Sequence, residues 1–291
     1  MTIMKKMFLP LTIIALMASC SKSEEVSEEM DLQKGQEIEM TVDFADETRS
    51  LTKYENEQFT TYLQKGDLIG VHLLYGTVGE SPVYDPMNVK YKVSEKGRLI
   101  SLGKPITFPK EEGYTLVAYF PYKDNYDPAY EKKFFTVNTD QSTKEDFELS
   151  QFMNFSQELT PDTPSSIPLK FQSRVAMASV ELEEGQFNKP VANVYIHAYP
   201  TGGMAFVNGR PQFLTQGEKA AIKMHKMEEN LYAAFVPAQS VVAGQVLYSI
   251  EYNDGSTENI FCPANGILME VAEVSELLIG KNHNAVAKGK K

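Results

Sequence analysis

Apolar and polar residues alternate with period two in many short runs along this chain, and turn residues interrupt nearly every run. The first, 36–44, has Ile38, Met40, Val42 and Phe44 as its apolar members, with Glu39, Thr41 and Asp43 between them. That spacing puts one row of side chains in a core and the other in water, which is the pattern of a half-buried strand. A more continuous apolar run occupies 67–75, after a Lys65-Gly66 turn, and further short strand patterns follow at 89–93, 113–119, stopped by Pro121, and 134–137. Residues 140–155 mix charged and apolar types and predict a helical turn. The strand pattern restarts at 168–171 and 174–182, then continues at 193–199, 222–227, 231–236 and 246–252. Asn253-Asp254-Gly255 supplies the positive φ angles of a tight hairpin, with 256–261 as the returning strand. Many short strands, frequent turns and few long helical patterns predict an all-β chain of β-sandwiches. Thr160-Pro161-Asp162-Thr163-Pro164-Ser165-Ser166 has the composition of a linker. It divides the chain into an N-terminal domain, 36–159, and a C-terminal domain, 160–291.

The first 19 residues have a different purpose. Lys5 and Lys6 precede an apolar run, MFLPLTIIALM, followed by the small residues Ala18 and Ser19. A membrane-spanning helix needs about 20 apolar residues, so this run is too short to cross, and its order is that of a signal peptide. Met17-Ala18-Ser19-Cys20 resembles the bacterial lipobox, in which the cysteine thiol is acylated and becomes the mature N-terminus. Each buried methylene adds about 0.8 kcal/mol, so several acyl chains hold a protein firmly on a membrane. Residues 20–35 read as a lipidated acidic tether, since Glu24, Glu25, Glu28, Glu29 and Asp31 cannot bury apolar surface. An acidic patch after the lipidated cysteine also resembles a surface-export signal. The expected location is therefore the outer membrane, lipid-anchored and surface-exposed.

Composition and motifs exclude several functions. The net charge is −11, and losing Lys5 and Lys6 with the leader makes the mature part more acidic still. Such a surface repels phosphate backbones, so nucleic acid is not an expected partner. Once Cys20 is acylated, Cys262 is the remaining cysteine; no internal disulfide or cysteine-based zinc site can form, and Cys262 reads as a small buried apolar residue. His72, His197, His225 and His283 show no helical ligand spacing, and no phosphate-binding glycine loop or Gly-x-Ser-x-Gly elbow occurs. Asp124, Asp127 and Glu131 cluster with Tyr122, Tyr126 and Tyr130. Without the oxygen-ligand spacing of a calcium loop, they read as a solvated, tyrosine-rich loop. Asn154-Phe155-Ser156 matches a glycosylation sequon that has no weight in a bacterial lipoprotein. No catalytic residue, metal ligand or cofactor is assigned, and the chain is not expected to be an enzyme.

An ordered set of motifs then covers nearly the whole mature chain. Asp46-Glu47-Thr48-Arg49-Ser50 follows the first strand. Lys65-Gly66-Asp67-Leu68-Ile69-Gly70-Val71 opens the second long run. Ile106-Thr107-Phe108-Pro109 precedes Val117-Ala118-Tyr119-Phe120-Pro121-Tyr122. Residues 167–182, Pro237-Ala238-Gln239 with Gly244, and Leu278-Ile279-Gly280-Lys281-Asn282-His283 complete the series. In this order the motifs resemble those of the fimbrillin-like family of Bacteroidota surface lipoproteins, which includes subunits of type V pili. The resemblance implies two transthyretin-like β-sandwich domains in tandem and a role as a surface adhesin or a pilus subunit, including a tip or accessory subunit. It also implies assembly by donor-strand exchange. Proteolysis after Arg49 would make Ser50 the new start, and the strand bearing Ile38, Met40, Val42 and Phe44 would be displaced. Another subunit's strand would then fill the groove by β-strand addition. By itself, Arg49 reads first as an ordinary turn residue on a strand that stays in place. The tail Ala285-Val286-Ala287-Lys288-Gly289-Lys290-Lys291 lacks a long apolar alternation and reads as a poor donor. Expected partners are other pilus subunits or a receptor on a host or bacterial surface. The alternative is a glycan-binding surface lipoprotein of a nutrient-uptake system, although the chain has no Trp for a sugar platform.

Replacing Cys20 with Ala should move the protein from the membrane to the soluble fraction on cell fractionation. Retention of the variant in the membrane at the wild-type level would contradict lipid anchoring.

Overall fold

The computed structural model describes residues 34–43, 52–55, 58–75, 83–84, 88–124, 126, 133–183, 185, 187–207, 210–271, 273–279 and 285–287. Their architecture is all-β. Among them the α-helix is a six-residue piece, Lys144–Leu149, capped by Thr143, whose hydroxyl accepts from the Asp146 N–H. It falls within the stretch where a helical turn is predicted.

Leu68–Tyr75 organises the first half. Ile69 to Leu74 are buried on both faces of this strand, so its pattern is continuous rather than alternating. It pairs antiparallel with Val89–Val93 on one side and with Tyr114–Phe120 on the other. Leu99–Ser101 extends the sheet beyond Val89–Val93, and Met153–Glu158 extends it beyond Tyr114–Phe120. The turn that feeds Leu68–Tyr75 explains its own residues. Gly66 has φ +99°, a left-handed conformation that only glycine adopts without strain. Asp67 donates its N–H to the Gln64 carbonyl and accepts the Gln64 N–H on its carboxylate at 2.7 Å. Burial pushes the Asp67 carboxyl up to about 6, more than the Gln64 N–H lowers it, and Glu148 nearby adds to the rise.

The second half is a sandwich of two sheets. Val175–Leu182 lies between Leu231–Pro237, antiparallel, and Val274–Ile279, parallel. Ala285–Ala287 pairs antiparallel with Val274–Ile279, so this part of the tail forms the edge of its own chain's sheet. The opposing sheet runs Ala220–Lys223, Val191–Ala198, Val246–Tyr252, Thr257–Phe261. Val194, Ile196, Ile222, Ile250 and Ile260 from this sheet meet Ala176, Ala178, Val180 and Phe235 from the other in one buried cluster. The Asp254-Gly255 turn forms as expected, with Gly255 at φ +81° and the Tyr252 N–H bonded to the Ser256 carbonyl.

Two hydrophobic clusters result, and the chain passes between them more than once. Leu116, Ala118 and Phe120 point into the first cluster, whereas Tyr119, on the opposite face of the same strand, packs in the second with Phe135 and Phe152. Gly70 makes this possible: a Cβ there would lie 2.1 Å from the Tyr119 ring. Residues 160–166, with their linker composition, form a compact turn, in which the Thr160 N–H bonds to the Thr163 hydroxyl at 2.8 Å and Thr163 is buried. The strand after it, Ser166–Leu169, sends Ile167 and Leu169 back into the first cluster.

One hairpin has no counterpart in the sequence reading. Thr201–Val207 and Arg210–Gln216 pair antiparallel, and Lys133–Thr136 adds to the far side. The Asn208-Gly209 pair between the strands is the signal that marks it. Gly202-Gly203, poor strand formers, obscure it. Gly202 is nonetheless required, because a Cβ there would lie 2.3 Å from Pro237 Cβ.

Asp67 gives the fold a definite pH response. Its native carboxyl sits near 6, against an ordinary 3.8. Between these values the native state keeps a proton that the unfolded chain has lost, so stability falls as pH rises from about 4 to about 6. Asp67→Asn removes this loss. Urea unfolding should therefore show the variant gaining on wild type by roughly 2–3 kcal/mol between pH 4 and pH 7. A difference independent of pH would contradict the buried carboxyl.

Candidate functional site

The first strand, Glu39–Val42, occupies a slot between two segments that line the first hydrophobic cluster and do not pair with each other. On one side it runs parallel to Ser166–Leu169, with Met40 opposite Ile167 and Val42 opposite Leu169, and the Glu39 N–H donates to the Ser165 carbonyl at 3.1 Å. On the other side the contacts are antiparallel and interrupted. The Gly35 and Ile38 N–H groups donate to the Phe108 and Ile106 carbonyls at 3.1 and 3.0 Å, and the Phe108 N–H donates back to Gln36 at 2.9 Å. Farther along, the Val42 N–H donates to Gly97 at 2.9 Å, and Thr41 bridges to Arg98.

The side chains follow the alternation read in the sequence. Ile38, Met40 and Val42 are buried, at 0%, 1% and 9% exposure, while Glu39 stands outside. Their cluster includes Tyr91, Val93, Leu99, Ile106, Phe108, Ile167 and Leu169. The Tyr91 hydroxyl accepts the Ile106 N–H at 2.7 Å and so fixes the floor beneath the strand. On the outer face Arg98 Nη2 meets Glu39 Oε1 at 2.9 Å. Both groups are well exposed, so this pair aids register and adds less than about 1 kcal/mol. Pro168, opposite Thr41, has no N–H to donate to an outside strand, a common protection for an exposed edge.

Taken away, Glu39–Val42 would leave a slot lined by backbone groups on both sides with apolar pockets below. Such a slot is chemically suited to another extended strand with aliphatic residues at alternate positions. Phe44, Arg49, Ser50 and Cys20, expected to continue, release and anchor this segment, lie outside the described residues. Arg98, Ile106 and Ile167 were not foreseen as parts of the site. Their signal was weak, because each belongs to a segment distant in sequence, and Ile167 follows the apparent linker.

The other candidate groups have structural partners. His72 is fully buried, accepts the Asn88 N–H on Nδ1 at 3.0 Å and stacks on Tyr119. His197 Nε2 lies 2.6 Å from the Ser249 hydroxyl, which donates to Asn259 Oδ1 at 2.7 Å. The serine proton thus points to an amide oxygen rather than to the imidazole, and the arrangement is not that of an activated nucleophile. Burial, with Lys219 nearby, lowers the His197 pKa. His225 Nδ1 bonds to the Ser142 carbonyl at 3.0 Å. His283 lies outside the described residues. Cys262 is buried, its thiol donates to the Val241 carbonyl, and burial pushes its pKa up, opposite to a reactive cysteine. Tyr122 and Tyr126 pack toward Tyr119. Lys90 bridges Asp124 and the Tyr122 ring. Asp127, Tyr130 and Glu131 lie outside the described residues. Asn154, within the sequon, instead accepts from Arg174 Nε at 2.7 Å. No group of three or more His, Cys, Asp or Glu that could hold a metal ion is found among the described residues.

A family model described as fimbrillin-like matches residues 25–284. No curated protein matches the chain. Among solved structures, a candidate cell adhesion protein of Bacteroides uniformis has 15% identity and a TM-score of 0.56, with 88% of this chain and 98% of that chain covered. A candidate cell adhesion protein of Bacteroides ovatus has 15% identity and a TM-score of 0.55, covering 87% and 95%. At such identity these likenesses establish the fold.

The slot gives a direct test of the first strand. Met40→Asp places an unpaired charge at a buried position and should cost several kcal/mol in chemical denaturation. Glu39→Gln, on the outer row, should cost less than about 1 kcal/mol. Equal, small effects at both positions would contradict the inward row.

Proposed function

The chain belongs to the fimbrillin-like family, and on that premise we propose that it is a lipid-anchored surface protein of the fimbrial or adhesin kind. In this reading it accepts a strand from another pilus subunit after cleavage following Arg49, and it acts as a tip or accessory subunit. Two tandem transthyretin-like units, divided near residue 160, carry that role. Anchoring runs through Cys20 to the outer membrane, and the protein's business is recognition and assembly rather than catalysis.

The observation that carries the reading is the two-sided seating of Glu39–Val42, upstream of Arg49. The strand is paired to Ser166–Leu169 on one flank and to residues 97–108 on the other. Both flanks come from chain downstream of Arg49, so a cut there separates the occupant from its slot without touching the slot. The tail supports an acceptor role. Ala285–Ala287 is paired within its own sheet, with Leu277 opposite Ala287 and Ile279 opposite Ala285. Its small residues offer little to fill pockets sized for Ile38 and Met40.

The experiment is cleavage with an arginine-specific protease, with the new N-terminus at Ser50 verified by sequencing. The cleaved protein alone should remain monomeric. Mixed with a subunit that carries an alternating apolar tail, it should form a complex that survives an unheated denaturing gel, and deletion of 285–291 should leave that complex intact. Ladders from the cleaved protein alone would assign a donor role to its tail and contradict the tip position. Absence of any complex, together with no cleavage after Arg49 on cells, would contradict strand exchange and leave a stand-alone adhesin.

A further inference from the structure

Residues 133–152 leave the first sheet, pack on the second sandwich and return. In sequence they lie between Tyr114–Phe120 and Met153–Glu158, which are paired neighbours in the first sheet. Lys133–Thr136 pairs instead with Thr201–Val207, where the Thr136 and Thr201 hydroxyls meet at 2.9 Å, and the Val137 N–H donates to the Pro200 carbonyl at 2.9 Å. The segment then runs along Ala220–Lys223, the end strand of the opposing sheet. The Lys223 N–H donates to the Thr139 carbonyl at 2.8 Å, and the Gln141 N–H donates to the Lys223 carbonyl at 2.9 Å. This piece of chain therefore covers part of a sheet edge.

Gln141 joins that edge to the facing sheet. It is fully buried. Its Oε1 accepts the Phe235 N–H at 2.9 Å, while Nε2 donates to the Phe235 carbonyl at 2.8 Å and to the Asn138 carbonyl at 3.0 Å. Both amide hydrogens and the amide oxygen are thus used, and the side chain takes the place of a neighbouring strand beside Phe235. Lys223 and Phe235 belong to different sheets, so one residue clasps both, by its backbone and by its side chain. The helix that follows adds Phe147, whose ring stacks on Phe235 at 4.6 Å and on His225 at 5.2 Å. Phe152 then stacks on Phe135 at 4.7 Å in the second cluster, and the next residue, Met153, is buried in the first.

We propose that residues 133–152 are a strap that makes the two halves of the chain a single cooperative unit, with Gln141 as its clasp. The division near residue 160 is then one of sheets and not of stability. Two costs enforce the coupling. If the strap leaves, the buried N–H and carbonyl of Phe235 lose their partners. Phe135, Val137 and Phe147 also leave the second cluster, which loses their apolar burial. Opening the first sheet frees Met153–Glu158, which continues directly from Phe152 and so releases one end of the strap. Neither half opens alone. For a surface protein the consequence is mechanical: tension on either half is resisted by the whole fold. The inference does not rest on strand exchange, and the strap includes no residue of the first strand or its slot.

The test is native-state hydrogen exchange of the full chain, read by mass spectrometry. In a single unit the slowest amides exchange only through global unfolding. Ile250→Val makes a small cavity in the second cluster, on a strand that the strap does not pair with. It should speed the slowest amides of 68–75 and 114–120 by the same factor as those of 191–198 and 246–252, about two- to tenfold. Gln141→Ala opens the clasp. In that background Ile250→Val should still speed the second pair of segments, while the first pair no longer follows. Phe147→Leu, a milder change in the strap, should give the same separation and serves if Gln141→Ala does not fold. Ile250→Val acting only on 191–198 and 246–252 in the otherwise unaltered chain would overturn the proposal, because the halves would then unfold independently. Both pairs of segments still moving together in every strap variant that folds would overturn it too, because the coupling would then lie elsewhere.

Discussion

The first hydrophobic cluster is closed by one strand that bonds to both of its neighbours. Glu39–Val42 joins Ser166–Leu169 to the 97–108 region, two segments that have no strand pairing with each other. Ile38, Met40 and Val42 are buried beneath that junction. Burial contributes on the order of 2 kcal/mol per side chain of this size, before the backbone bonds are counted. A whole domain is stable by only about 5–15 kcal/mol. Loss of this strand without replacement therefore removes a large share of what keeps the first cluster folded. In the proposed reading, exchange succeeds when an incoming strand fills pockets as the old one leaves them, so that few pockets are empty at once.

The two hydrophobic clusters differ in what closes them. The second is closed by segments bound on through their own sheets, with Val175–Leu182 at its centre. The first is closed by a segment near the start of the chain. Tyr119 connects the two. Its hydroxyl donates to Asn88 and receives the Lys123 N–H, and its ring rests over Gly70 against Tyr126 and Phe152. This packing gives the first sheet a buried outer face under Tyr119 and keeps Leu68–Tyr75 anchored on both sides while the opposite face carries the slot.

Much of this was legible in the sequence, and the reasons are local. Period-two alternation marked Ile38, Met40 and Val42 as one row because each contributes to a single pleat. Asp254-Gly255 marked its hairpin because the turn demands positive φ. Leu68–Tyr75 was visible as a continuous apolar run because both of its faces are covered. Features that depend on distant contacts were not legible. Ile167 follows a Pro- and Ser-rich stretch, and composition cannot distinguish a loose linker from a turn held by Thr160 and Thr163. Gly202 looks like a strand breaker until Pro237 is found against it. The parallel pairing of Glu39–Val42 with Ser166–Leu169 joins residues more than a hundred positions apart, and no local pattern predicts it.

Amide hydrogen exchange read by mass spectrometry tests the account most directly. In the intact chain, peptides covering 35–42, 106–108 and 166–169 should exchange slowly, because their backbone groups bond to one another. After cleavage at Arg49 and addition of a donor strand with aliphatic residues at alternate positions, the fragment ending at Arg49 should be released and exchange freely, while 106–108 and 166–169 stay protected. If that fragment remains bound and protected after cleavage and donor addition, the first strand is a permanent part of the fold and the account is wrong.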